Sequence, residues 1–555
     1  MRRLLDALLR FGQRLAGGQV IASIETVTLL VSLFFALFCN QLFLRGMLAG
    51  YDMAQPGSWL LAGSLLVGLA AVHFIMLSPF MTRWTTKPLL ALLLVATAFA
   101  VHFMTRYKVY LDTNMLRNVL ATDVREARDL MTWSLIPQLL LYAALPLWLL
   151  SRLRLKQRTV GRALLVRLGS IVLALLVLGG AIFLNFQDIA SLMRNNREFR
   201  FLVTPANYLY SLVQVSRSQA LAVEAAREPV GADAQPGPGW KNRDKPVVMV
   251  MVLGETVRAA NWGLSGYARQ TTPELAAEAG IINFADVTSC GTDTETSLPC
   301  IFSPWGRRKY DEARIRNSES VLDVVARAGF RVVWVDNQSG CKGVCKGVES
   351  IRPDLAKSPD HCFGGECQDG ALVDSLKQLV DETPGNLMIV LHQMGNHGPA
   401  YFKRYPDEFK AFKPACEDPD LPHCSEDSIV NAYDNAIRYT DHVLASLVRT
   451  LRDHQSHDSA LLYVSDHGES LGEKGLFLHG VPYKIAPEVQ TKVPMVMWFS
   501  PGFAPSFALD TACLGKVAAS PQSHDNLFHT FLGLLDVKTS VYAPEMDFSA
   551  KCRKG

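Results

Sequence analysis

Cysteine is nearly absent from the first half of this 555-residue chain: of eleven in all, only Cys39 precedes residue 290. Charge is sparse as well. Asp, Glu, Lys and Arg make up 19% of the residues, and the net +3 comes largely from short flanks in the first third, so there is no basic footprint for a nucleic acid. No internal repeat is detected, and no small-residue cleavage site follows the positively charged start, so an uncleaved anchor is expected there instead of a signal peptide. The mean hydropathy is positive. A chain this long and this apolar is neither one ordinary domain nor wholly soluble.

The apolar residues collect in five stretches of the first third, Val20 to Leu44, Ser58 to Pro79, Leu89 to Met104, Trp133 to Leu150 and Ala163 to Phe186. Most approach the ~20 residues a bilayer core requires. Arg2, Arg3, Arg10 and Arg14 precede the first, Arg83 and Lys87 separate the second from the third, and Arg152, Arg154, Lys156, Arg158 and Arg162 separate the fourth from the fifth. Basic flanks stay cytoplasmic. An odd number of spans then carries everything after Phe186 to the opposite side. The expected organisation is a five-helix transmembrane domain over 1–186 with an exported loop at about 106–132, interfacial helices and a linker over 187–245, and an exported domain over 246–555.

Cysteine usage tests that topology, because disulfides persist in oxidising compartments. Ten cysteines, an even number, lie in the exported half: Cys290, Cys300, Cys341, Cys345, Cys362, Cys367, Cys416, Cys424, Cys513 and Cys552. Their spacing suggests nearest-neighbour pairs, although sequence alone does not fix connectivity. A zinc cluster of Cys341, Cys345, Cys362 and Cys367 is the rival reading, disfavoured by export and evenness.

The linker begins with mixed aromatic and basic residues, Arg194, Arg197, Phe199, Arg200 and Phe201, as a segment lying on a membrane surface would. It closes on Gly231 to Gly239, a glycine- and proline-rich run expected to hold neither helix nor strand. Beyond it, short apolar runs (Val247 to Leu253, Arg331 to Val335, Leu387 to Leu391, Ala460 to Val464, Val493 to Phe499) alternate with helical patterns at Val321 to Ala328, Ala371 to Leu379 and Ile429 to Leu451. This alternation implies an α/β sandwich around a mainly parallel sheet. Ligands of such sheets sit beyond the carboxyl ends of the strands, where Glu255, Gln338, His397 and the pair Asp466-His467 fall.

A carboxylate after a strand often caps a turn, and a lone Asp-His pair is often a surface turn. Together, Glu255, Asp466 and His467 at one sheet edge describe a metal site. The segment Cys290 to Ser297 crowds hydroxyls beside it, and Thr292, Thr294 and Thr296 compete for the role of nucleophile. Spacing does not choose among them. Lys342, His397 and His479, with Tyr483 beside the last, suit an anionic phosphoryl group, against the blander reading of solvated loop residues. In the exported loop, Asn118, Thr122 and Glu126 recur every four residues, which would set amide, hydroxyl and carboxylate on one helical face. That is either a solvated face or a seat for a headgroup ammonium.

The combination resembles the lipid A phosphoethanolamine transferases of Gram-negative inner membranes, the EptA type, to which the mobile colistin-resistance enzymes also belong. The motifs that carry it are Val252-Leu253-Gly254-Glu255-Thr256, Cys290-Gly291-Thr292-Asp293-Thr294, Asn396-His397-Gly398-Pro399, and Ser465 to Glu473 running on to Leu478-His479-Gly480. The resemblance implies an alkaline-phosphatase-like (sulfatase-like) periplasmic domain, Thr294 as nucleophile, and zinc held by Glu255, Thr294, Asp466 and His467, with a second zinc left open. It implies Lys342, His397 and His479 at the phosphate, and Asn118, Thr122, Glu126, Gln338 and Ser339 near the phospholipid; some relatives carry asparagine where Gln338 stands. The expected reaction moves phosphoethanolamine from phosphatidylethanolamine to a lipid A phosphate in a monomeric inner-membrane enzyme, lowering surface negative charge and the binding of cationic peptides such as polymyxin. Core sugars (Kdo or heptose) are the alternative acceptors and phosphoglycerol the alternative group. A sulfatase is disfavoured because no cysteine begins a Cys-x-Pro-x-Arg pattern. A metal-binding receptor or transporter would need more intramembrane polar groups than Glu25, His73 and His102.

Overall fold

A computed structural model describes residues 20–553 apart from 123, 196, 225, 226, 242 and 364. The basic residues Arg2, Arg3, Arg10 and Arg14 lie outside the described residues. The chain divides into two compact units, one of Met1–Leu116 with Met131–Ser216, the other of Arg117–Leu130 with Arg217–Gly555. The connector anticipated over 187–245 is thus divided between them, and a short stretch of the loop expected to be exported groups with the second unit.

Among the described residues of the first unit four helices, Pro56–Phe80, Thr86–Tyr107, Leu135–Arg152 and Val160–Leu184, are long and apolar enough to cross a membrane. A fifth arises if Ile24–Cys39 and Gln41–Leu48, bent by 58°, form one span. The stretch read as Val20 to Leu44 is therefore not one straight helix. Val20–Ala22 is instead a strand paired with Leu153–Leu155, and Asn40 breaks the helix. Its buried amide donates to the Phe35 and Thr204 carbonyls (2.9 and 2.6 Å) and accepts from Thr204 N (2.8 Å), bonds that a regular helical turn would not leave room for.

The second unit is built on an eight-stranded sheet: β1 (Val247–Gly254), β2 (Ile282–Thr288), β3 (Arg331–Asp336), β4 (Glu349–Ile351), β5 (Leu387–His392), β6 (Asp458–Ser465), β7 (Lys492–Phe499) and β8 (Gln522–Ser523), in the order β8-β2-β7-β6-β1-β5-β3-β4. Only β7 runs against the others. Strand β1 is buried along its whole length. Its alternate residues feed two cores, with Val247, Met249, Met251 and Leu253 facing one and Val248, Val250 and Val252 facing the other. One face is covered by helices including Val321–Arg327 and Leu527–Leu534, the other by Gly370–Glu382 and Glu426–Asp453. The glycine-rich run is not wholly irregular: Gln235–Pro236 pairs with Val537–Lys538. Proline is tolerated there because a two-stranded ribbon asks for bonds on one side only.

Register places the site. Gly254 stands opposite Ser465, Leu253 opposite His392, and His392 opposite Asp336, so four neighbouring strands end at nearly one level.

Candidate active site

Glu255 and the Asp466-His467 pair are the first residues past the ends of β1 and β6, and all three are fully buried. One donor atom from each lies within 4.8 Å of the others. Asp466 Oδ1 accepts the main-chain N–H groups of Thr256 (3.0 Å) and His467 (2.8 Å), whereas Oδ2 has no hydrogen bond among the described residues and stands 3.4 Å from His467 Nε2. His467 Nδ1 lies 2.9 Å from the Gly468 carbonyl, which can only accept. The ring therefore donates from Nδ1, and Nε2 is turned toward the carboxylates of Glu255 and Asp466, each at 3.4 Å. An orphaned buried carboxylate oxygen and an imidazole nitrogen oriented by a main-chain acceptor fit a cation.

The electrostatics agree. Burial and the neighbouring Glu255 charge push the Asp466 carboxyl up to about 6. Burial opposes a charged His467, but Asp466 and Glu255 outweigh it and push the imidazole up to about 10. Burial likewise works against the Glu255 carboxylate, and His467 overrides it and holds the group well below its usual range. Two carboxylates in one dry site call for positive charge between them.

The three hydroxyls left open by the sequence separate here. Thr292 Oγ1 donates to the Val481 carbonyl (2.7 Å), and Thr296 Oγ1 to Asp293 Oδ2 (3.0 Å). Thr294 Oγ1 faces the cluster, 3.1 Å from Glu255 Oε2 and 3.3 Å from His467 Nε2. It is the first residue of the helix Thr294–Ile301, which Asp293 caps by accepting Thr296 N. A helix start offers unpaired N–H groups to an anion. The Cys290–Cys300 disulfide closes the loop around it. The other pairs are Cys341–Cys345, Cys362–Cys367, Cys416–Cys424 and Cys513–Cys552, and Cys39 is a free, buried thiol.

The His479 ring is tilted by 45° against that of His467, with centroids 4.3 Å apart, and the His397 ring lies edge-on to that of His479 at 5.9 Å between centroids. Glu469, fully buried, sets His479 through its Nδ1 at 3.1 Å. The His397 loop is fixed by Asp369, which accepts Met394 N and Gly395 N (both 2.8 Å) and Asn337 Nδ2 (2.8 Å). Gly395, at φ +51°, passes so close over Glu255 that a Cβ would stand 2.7 Å from its carbonyl oxygen. Lys342, in the Cys341–Cys345 loop, folds onto Ser339, donating to its Oγ (2.7 Å), and Ser339 donates in turn to Gln338 Oε1 (2.6 Å). Tyr483 donates to the Ser289 carbonyl (2.9 Å).

Asn118, Thr122 and Glu126 do not share one continuous helix. The helix Thr113–Ala121 stops before Thr122, whose hydroxyl bonds back to the Asn118 carbonyl (2.7 Å), and a second begins at Val124. Threonine and aspartate in succession are poor helix formers. Glu126 lies in that second helix, and its side chain is outside the described residues.

Sequence reading missed His524. Its Nδ1 accepts Cys290 N (3.0 Å) and its Nε2 donates to the Ser465 carbonyl (3.0 Å), so it is neutral, and burial holds it down to about 3. It ties the loop that begins at Cys290 to the end of β6. Only the tertiary fold brings these residues together.

A mainly parallel sheet with carboxylates, an imidazole and a hydroxyl at its carboxyl edge is the arrangement of the alkaline phosphatase and sulfatase class, and the Sulfatase family model matches residues 248–537. The model described as phosphoethanolamine transferase EptA/EptB matches residues 69–220. Phosphoethanolamine transferase EptA of Escherichia coli K12 is 35% identical over 95% of this chain and 96% of its own, and phosphatidylethanolamine transferase Mcr-1 of Escherichia coli is 35% identical over 91% and 94%. The solved integral membrane lipooligosaccharide phosphoethanolamine transferase A of Neisseria meningitidis superposes at a TM-score of 0.91, with 34% identity over 97% of this chain and 100% of that one. At 28% identity, over 82% of this chain and 83% of its own, stands the Escherichia coli K12 Kdo(2)-lipid A phosphoethanolamine 7''-transferase. The chain belongs to the phosphoethanolamine transferase family of membrane enzymes.

Proposed function

We propose that this enzyme transfers phosphoethanolamine from phosphatidylethanolamine to a phosphate of lipid A through a phosphoethanolamine-Thr294 intermediate, using zinc, at the periplasmic face of a Gram-negative inner membrane. The observation that carries the reading is the Thr294 hydroxyl, alone of the three, directed at Glu255 and His467. Glu255, Asp466 and His467 would hold the ion with Thr294 as fourth ligand, an oxygen- and nitrogen-donor set that zinc accepts. When bound, zinc supplies Lewis acidity that lowers the pKa of a hydroxyl it contacts, as it lowers that of water to about 7.

The chain's own groups account for the rest. Thr294 Oγ gives up its proton and forms a bond to the donor phosphorus while the phosphorus–oxygen bond to diacylglycerol breaks, the leaving oxygen taking a proton. In the second half a lipid A phosphate oxygen attacks the same phosphorus, and Thr294 recovers its proton as the bond to it breaks. The N–H groups at the start of the Thr294–Ile301 helix, with Lys342, His397 and His479, stabilise the charge that grows on the phosphoryl oxygens. Asn118, Thr122, Glu126, Gln338 and Ser339 receive the phospholipid headgroup. Each transfer adds an ammonium to the outer surface and weakens its hold on cationic peptides.

The test is mass spectrometry of lipid A from a polymyxin-sensitive Gram-negative host expressing the chain or its Thr294→Ala variant at matched membrane levels. An adduct of phosphoethanolamine only with the unmodified chain is expected. Likeness to the Kdo(2)-lipid A enzyme makes an inner-core sugar the second acceptor reading. An adduct on that sugar alone would favour it.

A further inference from the structure

The exported segment that bears Asn118 and Thr122 is fastened at both ends by ion pairs. At its start, Arg117 pairs with Glu312, and Glu312 Oε1 lies 3.1 Å from Arg316 Nε. Arg316 continues to Glu295, 2.9 Å from its carboxylate and donating to its carbonyl at 2.7 Å. Glu295 is the residue after Thr294. At the segment's other end, Asp129 receives Lys403 Nζ (2.5 Å) and Arg404 Nη2 (3.2 Å). Arg404 Nε donates in turn to the His397 carbonyl at 2.8 Å. Each relay therefore ends on the main chain of a residue at or beside the site, one next to the nucleophile and one at the phosphate-side histidine.

Apolar packing would hold this segment more cheaply than charges do. The Arg117, Asp129 and Arg404 side chains are only about a tenth exposed, and partly buried ion pairs incur a desolvation cost that apolar contacts avoid. What directional, charge-assisted bonds add is a fixed register. One anchor would leave the segment a pivot; two, twelve residues apart in sequence, remove it.

We propose that Arg117 and Asp129 are positioning residues that hold the headgroup-bearing segment at a set offset from Thr294 and His397, governing recognition of the lipid donor and not bond breaking itself. This rests on the reading of Thr294 and the headgroup contacts given above. In mixed micelles of the full-length enzyme, Asp129→Asn and Arg117→Met are each expected to raise KM for phosphatidylethanolamine about tenfold, the equivalent of one lost charge-assisted bond. Hydrolysis of bis(p-nitrophenyl) phosphate, which has neither ammonium nor acyl chains, should change by less than about twofold, because no relay group touches the reacting atoms. Asp129→Glu, which keeps the charge, should recover most of the lipid KM. Lys403→Met removes only a half-exposed partner and carries the same expectation in smaller measure whether or not the buried variants fold. A wild-type lipid KM in these variants, or equal losses on both donors, would overturn the proposal. Failure of the underlying reading would show separately, as activity surviving Thr294→Ala.

Discussion

Asp466→Asn should act in opposite directions on metal affinity and on the stability of the metal-free protein. The substitution keeps an oxygen for the Thr256 and His467 N–H groups and replaces the unbonded Oδ2 by an amide nitrogen. With Glu255 and Asp466 donor atoms within 4.8 Å of one another, like-charge repulsion at an effective dielectric of ~20 is roughly 3.5 kcal/mol. His467 offsets part of this, so the metal-free variant should gain about 1–2 kcal/mol, seen as a rise of a few degrees in Tm with chelator present. For a divalent ion the same change removes an attraction of ~4 kcal/mol per unit charge, against which some desolvation is recovered. A net loss of about 4 kcal/mol lowers affinity about 1,000-fold. Chelator competition followed by elemental analysis reads the affinity, and thermal unfolding of the detergent-solubilised chain with and without chelator reads the stability. A variant that is less stable when metal-free and still binds zinc as the parent does would refute the assignment of Asp466 as an ion ligand.

Two further outcomes follow from geometry. Replacing both Cys290 and Cys300 by serine opens a loop of sequence separation 10, which loop-closure entropy values at about 2.7 kcal/mol, and the loss should be measurable by denaturant unfolding of the second unit. A change under about 0.5 kcal/mol would mean that the surrounding fold already confines the loop. Asp441 accepts Glu274 N and Leu275 N (2.8 and 2.9 Å), and burial, aided by the Glu274 charge and countered by those N–H groups and Arg438, pushes it from 3.8 up to about 7. Between those values the folded chain binds more protons than the unfolded one, so this group makes stability fall as pH rises from about 4 to 7. Asp441→Asn should gain on the parent across that window, and parallel stability curves from pH 5 to 8 would contradict the shift.

The central strands were legible because each carries an unbroken apolar run, and the site residues because they follow those runs directly: Glu255 after Leu253 and Gly254, Asp466 after Val464 and Ser465. Strands β2, β4 and β8 were not, since they are half-exposed or two to three residues long and give no run to detect. Which of the three hydroxyls faces the carboxylate cluster needed the tertiary structure, in which Thr292 and Thr296 have theirs taken by Val481 and Asp293 and that of Thr294 points at Glu255 and His467. A four-residue repeat misled at Thr122 because periodicity registers faces and not the helix break that falls between them. His524 acts through two bonds to residues 234 and 59 positions away, a distance over which local pattern carries no signal.

The level ending of β3, β5, β1 and β6 has a further consequence for how this enzyme can fail. Groups rooted in the middle of a sheet open only with the sheet itself, so amide exchange at Leu253, Gly254 and Ser465 should be as slow as global unfolding allows, while the loops bearing Lys342 and His479 exchange locally. Fluctuation of the rim loops can then proceed without disturbing the residues at the centre. Damage that does reach the centre strips away Glu255, Asp466 and His467 together, making loss of the site cooperative and not gradual.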